Sequence, residues 1–188
     1  MSAAIALFCR SGYDATGVAS ICTQAGVSKG AFYHHFPSKK ELFLAIMDDW
    51  LNELNLQLQG MRSSEKNVPE TIMDMAQAIG LVFNVASGQL PMFMEFMVQA
   101  SHDESIWEAS IAPYQQYQRQ FAQLIEEGVK EGSFKPGTDI ESAAWALIAL
   151  AVGLLLQGIV LPHATDWEKV TREGVARILE SMQIRSAA

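Results

Sequence analysis

Gly12, Gly26 and Pro37 divide the first forty residues into three short segments, and this punctuation constrains the fold more tightly than any other feature of the chain. Glycine readily takes the left-handed backbone on which helices end, and proline cannot continue a helix interior. Between the breaks the apolar spacing is helical. Ala4, Leu7 and Phe8 share one face of a first helix expected over about Ser2 to Arg10. Val18, Ile21, Cys22 and Ala25 follow the i, i+3, i+4, i+7 rule and predict a second helix that Gly26 stops. Ser28 is a good N-cap for a third, Val27 and Phe32 occupy the positions of a hydrophobic staple, and Pro37 ends that helix by Phe36. Ser38 with Glu41 forms a capping box for a long fourth helix, whose apolar stripe is Phe43, Ile46, Met47, Trp50, Leu51, Leu54 and Leu58.

After the linker-like "GMRSSEKNVP" the pattern becomes broader and more apolar, with helices expected over roughly 70–87, 90–101, 105–132, 139–161 and 166–183. Alternating runs of β-branched and aromatic residues bounded by turns are missing, so the fold class is all-α. A chain of 188 residues, 49% of them hydrophobic, can bury a real core. Residues 142–165 contain no Asp, Glu, Lys or Arg and are long enough to span a bilayer. They lack flanking Lys/Arg anchors, however, and their many small residues allow close helix approach. This segment is read as a core and subunit-contact helix, with no membrane partner.

The formal charge of −8 argues against a general nucleic-acid binder, but it is unevenly spread. Residues 1–50 hold four basic (Arg10, Lys29, Lys39, Lys40) and four acidic side chains (Asp14, Glu41, Asp48, Asp49), so the whole excess sits in 51–188. Only the head suits a polyanion. Its second and third helices, joined by a glycine turn, describe a helix-turn-helix, in which the second helix of the motif enters the DNA major groove with its N-terminal residues leading. Ser28, Lys29, Gly30 and Ala31 form that first turn, where free N–H groups and the helix dipole favour an anion. Phe32 and Phe36, spaced i, i+4, can face inward and leave Lys29, Gly30, Tyr33 and His34 outside. Lys29 and Lys39 both open a helix, where a cation is disfavoured by about 0.3–1 kcal/mol relative to an anion. Phosphates at both helix starts would account for that placement. His35 is read as a packed or partly exposed neighbour of the first helix. Cys9 and Cys22 fall in packing registers, and no cluster has metal-ligand spacing.

The run "LFCRSGYDATGVASICTQAGVSKGAFYHHFPSKKELF" resembles the DNA-binding domain of the tetracycline-repressor (TetR/AcrR) family, through Phe8, Gly12, Ile21, Ala25-Gly26-Val27-Ser28, Gly30, Tyr33, Phe36, Ser38-Lys39 and Leu42. The resemblance implies a helix-turn-helix domain over 1–47 and a helical ligand-binding and dimerisation domain over 48–188. It also implies a homodimer that binds a double-stranded operator and is controlled by a small-molecule effector. The positions matching Lys29, Gly30, Tyr33, His34 and Lys39 touch DNA in that family. Two departures stand out. Position 17 is Gly where the family usually has Thr or Ser opening the second helix, with Thr16 as the substitute cap. The family also usually carries more first helix, so this chain is expected either to be truncated at its start or to lack N-terminal DNA contacts.

In the family the last two helices pair with their two-fold mates, which here points to Leu147, Leu150, Leu154, Val175, Ile178, Leu179 and Met182 as dimer contacts. Such a dimer would set the two recognition helices about 34–36 Å apart on a near-palindromic operator. A Met- and aromatic-rich region suggests an adaptable pocket lined by Phe83, Met92, Phe96, Met97, Trp107, Tyr114 and Trp145, suited to an uncharged apolar or aromatic effector, with Glu95 and His102 as candidates to orient a polar group. No nucleophile–base pair, carboxylate pair or phosphate loop stands out, so an enzyme is the least supported class. No cofactor is expected, and the chain, lacking a signal peptide, is placed in the cytoplasm. The alternative is a helical ligand-binding or interaction module without DNA binding.

Overall fold

The computed structural model describes residues 1–62, 65–85 and 90–184, with side chains described throughout these except at 79–85, 90–93, 110–114 and 159. The elements are α1 (Ser2–Ser11), α2 (Val18–Ala25), α3 (Lys29–His35), α4 (Lys39–Gly60), α5 (Val68–Val85), α6 (Leu90–Ala100), α7 (Glu104–Lys130), α8 (Ile140–Val160) and α9 (Trp167–Met182). Among the described residues the only β feature is one isolated bridge between Phe134 and Gln183. The chain is all-α, and the later helices end within two residues of their expected bounds.

The expected breaks act through the expected chemistry. Gly26 ends α2 in left-handed backbone at φ 68°, with its N–H turned back to the Cys22 and Thr23 carbonyls. The Ser28 hydroxyl accepts from the Ala31 N–H at 3.1 Å, and Ser38 accepts from Glu41 N–H at 3.1 Å. Asp139 and Asp166 cap α8 and α9 in the same manner. Val27 is 46% exposed, so its staple against Phe32 buries little.

The chain divides into two compact units, Met1–Asn55 with Ala86–Ile111, and Leu56–Val85 with Ala112–Ala188. This differs from a division after residue 47. In the first unit α1 packs on α2 and on α6, and α2 packs on α3. Three short helices and the start of α4 cannot close a core alone; Phe96 and Ala100 of α6, with Ile106, complete it. Phe43 is fully buried at its centre, with ring centroids 5.5 Å from Phe8, 4.7 Å from Tyr13 and 5.9 Å from Phe96. Full burial of a ring such as Phe43 stabilises the fold by about 1.5–3 kcal/mol.

In the second unit α5 packs on α8 and α9, and α8 on α9. The α7–α8 connection is tied down. Phe134 is wholly buried and lies against Gly128, while the Lys135 N–H and Nζ donate to the Met182 and Ser181 carbonyls, each at 2.8 Å. This packing puts most of the expected dimer contacts inside the chain. Leu147, Leu154, Val175, Leu179 and Met182 are buried within the chain itself, and Leu150 and Ile178 are half-buried. Because α8 is apolar on all sides, its periodicity could not say which side faces its own core. Only 22% of Ile140–Gly158 is buried, and along one side Trp145, Ala149 and Val160 are exposed while Val152 and Leu156 are half-buried.

Candidate nucleic-acid interface

Phe32 is the one buried residue of α3 and is anchored beside Ile21 and Cys22 of α2, both also buried. Phe36 packs against the same core from the helix end. A seven-residue helix held by one central anchor presents the rest of its surface. Ser28, Lys29, Gly30, Ala31, Tyr33, His34 and His35 are all exposed, Tyr33 by 53%. The Tyr33 ring stands edge-on to Phe32 at 5.2 Å, which directs the phenol away from the core. The outward set therefore combines a cation, two small residues that allow close backbone approach, and hydrogen-bonding rings. Those are the elements of phosphate contact and base-edge readout.

Two expected members leave this set. Thr16 is 2% exposed, and its hydroxyl donates to the Gly12 carbonyl at 2.7 Å and to Leu7 at 3.3 Å. It braces the α1–α2 turn and caps nothing; the N-cap of α2 is Gly17, which has no side chain to offer. Lys39 is half-buried and turned inward: Nζ donates to the Tyr13 carbonyl at 2.7 Å and sits 4.0 Å above the Tyr13 ring. Burial lowers its pKa, against the pull of Asp14 and Glu95 in the other direction. Burial likewise raises that of Tyr13, helped by the charges of Asp103 and Asp14.

Of the expected pocket residues, the side chains of Phe83, Met92 and Tyr114 lie outside the described residues. Phe96 is committed to the first unit's core, Met97 is half-buried, and Trp107 and Trp145 are 51% and 43% exposed. Glu95 serves the backbone instead of a ligand, accepting the Tyr13 N–H at 2.9 Å, and His102 is exposed. In the second unit a cleft of about 180 Å³ opens between Leu58, Met75, Phe121 and Leu124, rimmed by Gln59, Arg62, Gln120 and Gln123. Arg62 is paired with Glu127 at 2.5 Å.

Residues 1–46 match the family model for bacterial regulatory proteins of the tetR family, and residues 84–182, more than half of the chain, match the BetI-type transcriptional repressor C-terminal domain. The chain belongs to the TetR family of transcriptional regulators. This TetR-family regulator is 24% identical over 178 residues to YfiR, an HTH-type transcriptional regulator of Bacillus subtilis, covering 94% of this chain and 84% of that one. It is 29% identical over 177 residues to TtgR of Pseudomonas putida, covering 88% and 81%. A transcriptional regulator from Saccharomonospora viridis in complex with choline shares the fold with a TM-score of 0.83 at 19% identity, covering 98% and 95%. These relatives are named as regulators, not enzymes, as the lack of catalytic groupings led us to expect.

Sequence reasoning passed over Tyr13, which links Lys39 of α4 to Glu95 of α6, and Lys40, Asp103 and Ser105, which join α4 to the α6–α7 turn of this regulator. Lys40 Nζ lies 2.7 Å from Ser105 Oγ and 3.3 Å from Asp103 Oδ2. The Asp-x-Ser spacing at the start of a predicted helix was the available signal, since it marks a capping turn whose second carboxylate oxygen is left to face outward.

Proposed function

We propose that this chain is a homodimeric repressor that binds a near-palindromic operator through α3 and leaves it when a small effector binds the C-terminal domain. The observation that carries the reading is α3 itself, one buried anchor with Lys29, Gly30, Ala31, Tyr33 and His34 outside. The partly exposed apolar side of α8, with Trp145, Ala149 and Val160 open, supports the dimer, since a helix apolar all round is one buried among protein partners. A protein that acts on an operator in this way would work in the cytoplasm. For the effector, the cleft beside Phe121 favours a small neutral amphiphile. Apolar side chains line the cleft, with glutamines and Arg62 at its rim, and among the described residues it holds no carboxylate to balance a cation such as the choline held by the Saccharomonospora protein.

Selection from a randomised duplex library tests the reading, comparing wild type with a Lys29→Ala, Tyr33→Ala double variant. An enriched palindrome that the variant fails to select supports it. No enrichment even at low salt, where phosphate attraction is strongest, overturns it. That outcome would favour an interaction module without DNA binding, a reading to which the bare Gly17 cap and the inward Lys39 lend support.

A further inference from the structure

Lys39 and Lys40 are neighbours in the first turn of α4, which follows α3 after only Phe36, Pro37 and Ser38. Both ammonium groups are occupied inside the first unit. Lys39 is held by the Tyr13 carbonyl and ring, and the Tyr13 N–H is held in turn by Glu95 of α6. Lys40 reaches the turn after α6, where it meets Asp103 and Ser105. These two are half of the four basic side chains in residues 1–50; the other two, Arg10 and Lys29, are exposed. Segment 95–105 therefore holds one of the four, Lys40, directly, and braces the Tyr13 partner of a second, Lys39, through Glu95.

The two lysines are held unequally. Lys39 is half-buried and doubly held. The Lys40–Asp103 pair is open to water, with side chains 36% and 38% exposed, and such a pair is weak enough for a phosphate to displace. Asp103 also divides its work between its oxygens. Oδ1 accepts from Ser105 N–H at 3.0 Å, Ile106 N–H at 3.2 Å and Ser105 Oγ at 2.6 Å, capping α7, while Oδ2 faces Lys40.

We propose that Lys40 is a further phosphate-binding residue of this head, held in reserve by Asp103 and Ser105, so that the α6–α7 turn sets how many phosphates the head neutralises. The proposal rests on the reading of α3 as a DNA-binding helix. It gives any effector-driven shift of residues 101–105 a direct electrostatic route to DNA affinity. Each phosphate neutralised changes the slope of log K against log salt by about 0.9, so the reserve is countable.

Asp103→Asn keeps a capping oxygen and puts an amide where the carboxylate met Lys40. Binding of the full chain to a fluorescent duplex bearing the selected operator, or a random-sequence duplex of equal length, is titrated from about 50 to 300 mM KCl. Wild type, Asp103→Asn, Lys40→Gln and the double variant are compared, with thermal unfolding as the folding control. We expect Asp103→Asn to steepen the slope by up to about 0.9 and to tighten low-salt binding several-fold, and Lys40→Gln to abolish that gain. Ser105→Ala should move the slope the same way by less. An unchanged slope in Asp103→Asn, or a gain that survives in the double variant, overturns the proposal. A wild type that binds neither duplex at low salt overturns the DNA-binding reading as well, a failure recognisable by the absence of any binding to modulate.

Discussion

Helices α3 and α8 both leave most of their surface outside the chain's own core, yet the two exposures have opposite chemistry. The first is seven residues with one buried ring and an outward face of lysine, small residues, phenol and imidazole. The second is 21 residues without a single Asp, Glu, Lys or Arg after Glu141, and it leaves Trp145 and Val160 43% and 69% exposed. Water solvates the first face well, so its exposure is stable in the free protein and suits a ligand as polar as DNA. Water solvates the second poorly, and exposed apolar side chains such as Trp145 and Val160 suit a protein surface better than a polyanion. Exposure by itself thus says little about function. What the exposed atoms are decides whether a face suits a polyanion or an apolar partner.

The contrast can be broken at either helix. The largest effect is expected from Ala149→Arg on the partly exposed side of α8. Sedimentation should show a dimer becoming a monomer, with operator affinity falling by two or more orders of magnitude while the monomer's helicity is retained. A dimer that survives the substitution would assign that side another partner. Lys29→Ala with Tyr33→Ala should reduce operator binding by about 100-fold, while stability stays within about 0.5 kcal/mol because both side chains are exposed. If unfolding shifts by much more, α3 is part of the structural core and not a reading face.

Gly128→Ala probes the body against the head. A Cβ there would overlap the Phe134 ring, which is wholly buried. Overpacking of this kind costs about 1–3 kcal/mol and outweighs the helix propensity gained from alanine. Thermal unfolding should show the loss, with DNA affinity changed much less. The smallest effect is a pH dependence. The Ser105 hydroxyl, with the Ile106 N–H and Lys40 adding to it, holds the Asp103 carboxyl down to about 2 from its ordinary 3.8. A folded-state value below the unfolded one means the stabilisation is present above about pH 4 and is lost as pH falls toward about 2. Melting temperatures across that window should fall more steeply in wild type than in Asp103→Asn; parallel curves would show that the carboxylate is not coupled to folding.

Much of the head was legible because short-range rules dominate there. Gly26, Ser28, Pro37 and Ser38 act through local backbone chemistry, and they bounded α2, α3 and the start of α4 correctly. The outward face of α3 followed from the inward pair Phe32 and Phe36, spaced i, i+4. Lys39 was misplaced for a corresponding reason: its partner Tyr13 is 26 residues away, and no local pattern announces a cation over a distant ring. Thr16 was misplaced because a threonine ahead of a helix serves equally as a cap or, as here, as a brace on the preceding turn.

The sequence by itself determined the helices, their ends and the family, because these depend on periodicity, caps and an ordered set of matching residues in one stretch. Only the tertiary structure decided which side of α8 faces inward, that α6 belongs with the head, and where Lys39 and Lys40 point. The physical reason is shared by all three. An all-apolar helix has no preferred face until α5 and α9 pack on it, and a lysine has no fixed partner until the fold brings a carbonyl, a ring or a carboxylate within its reach.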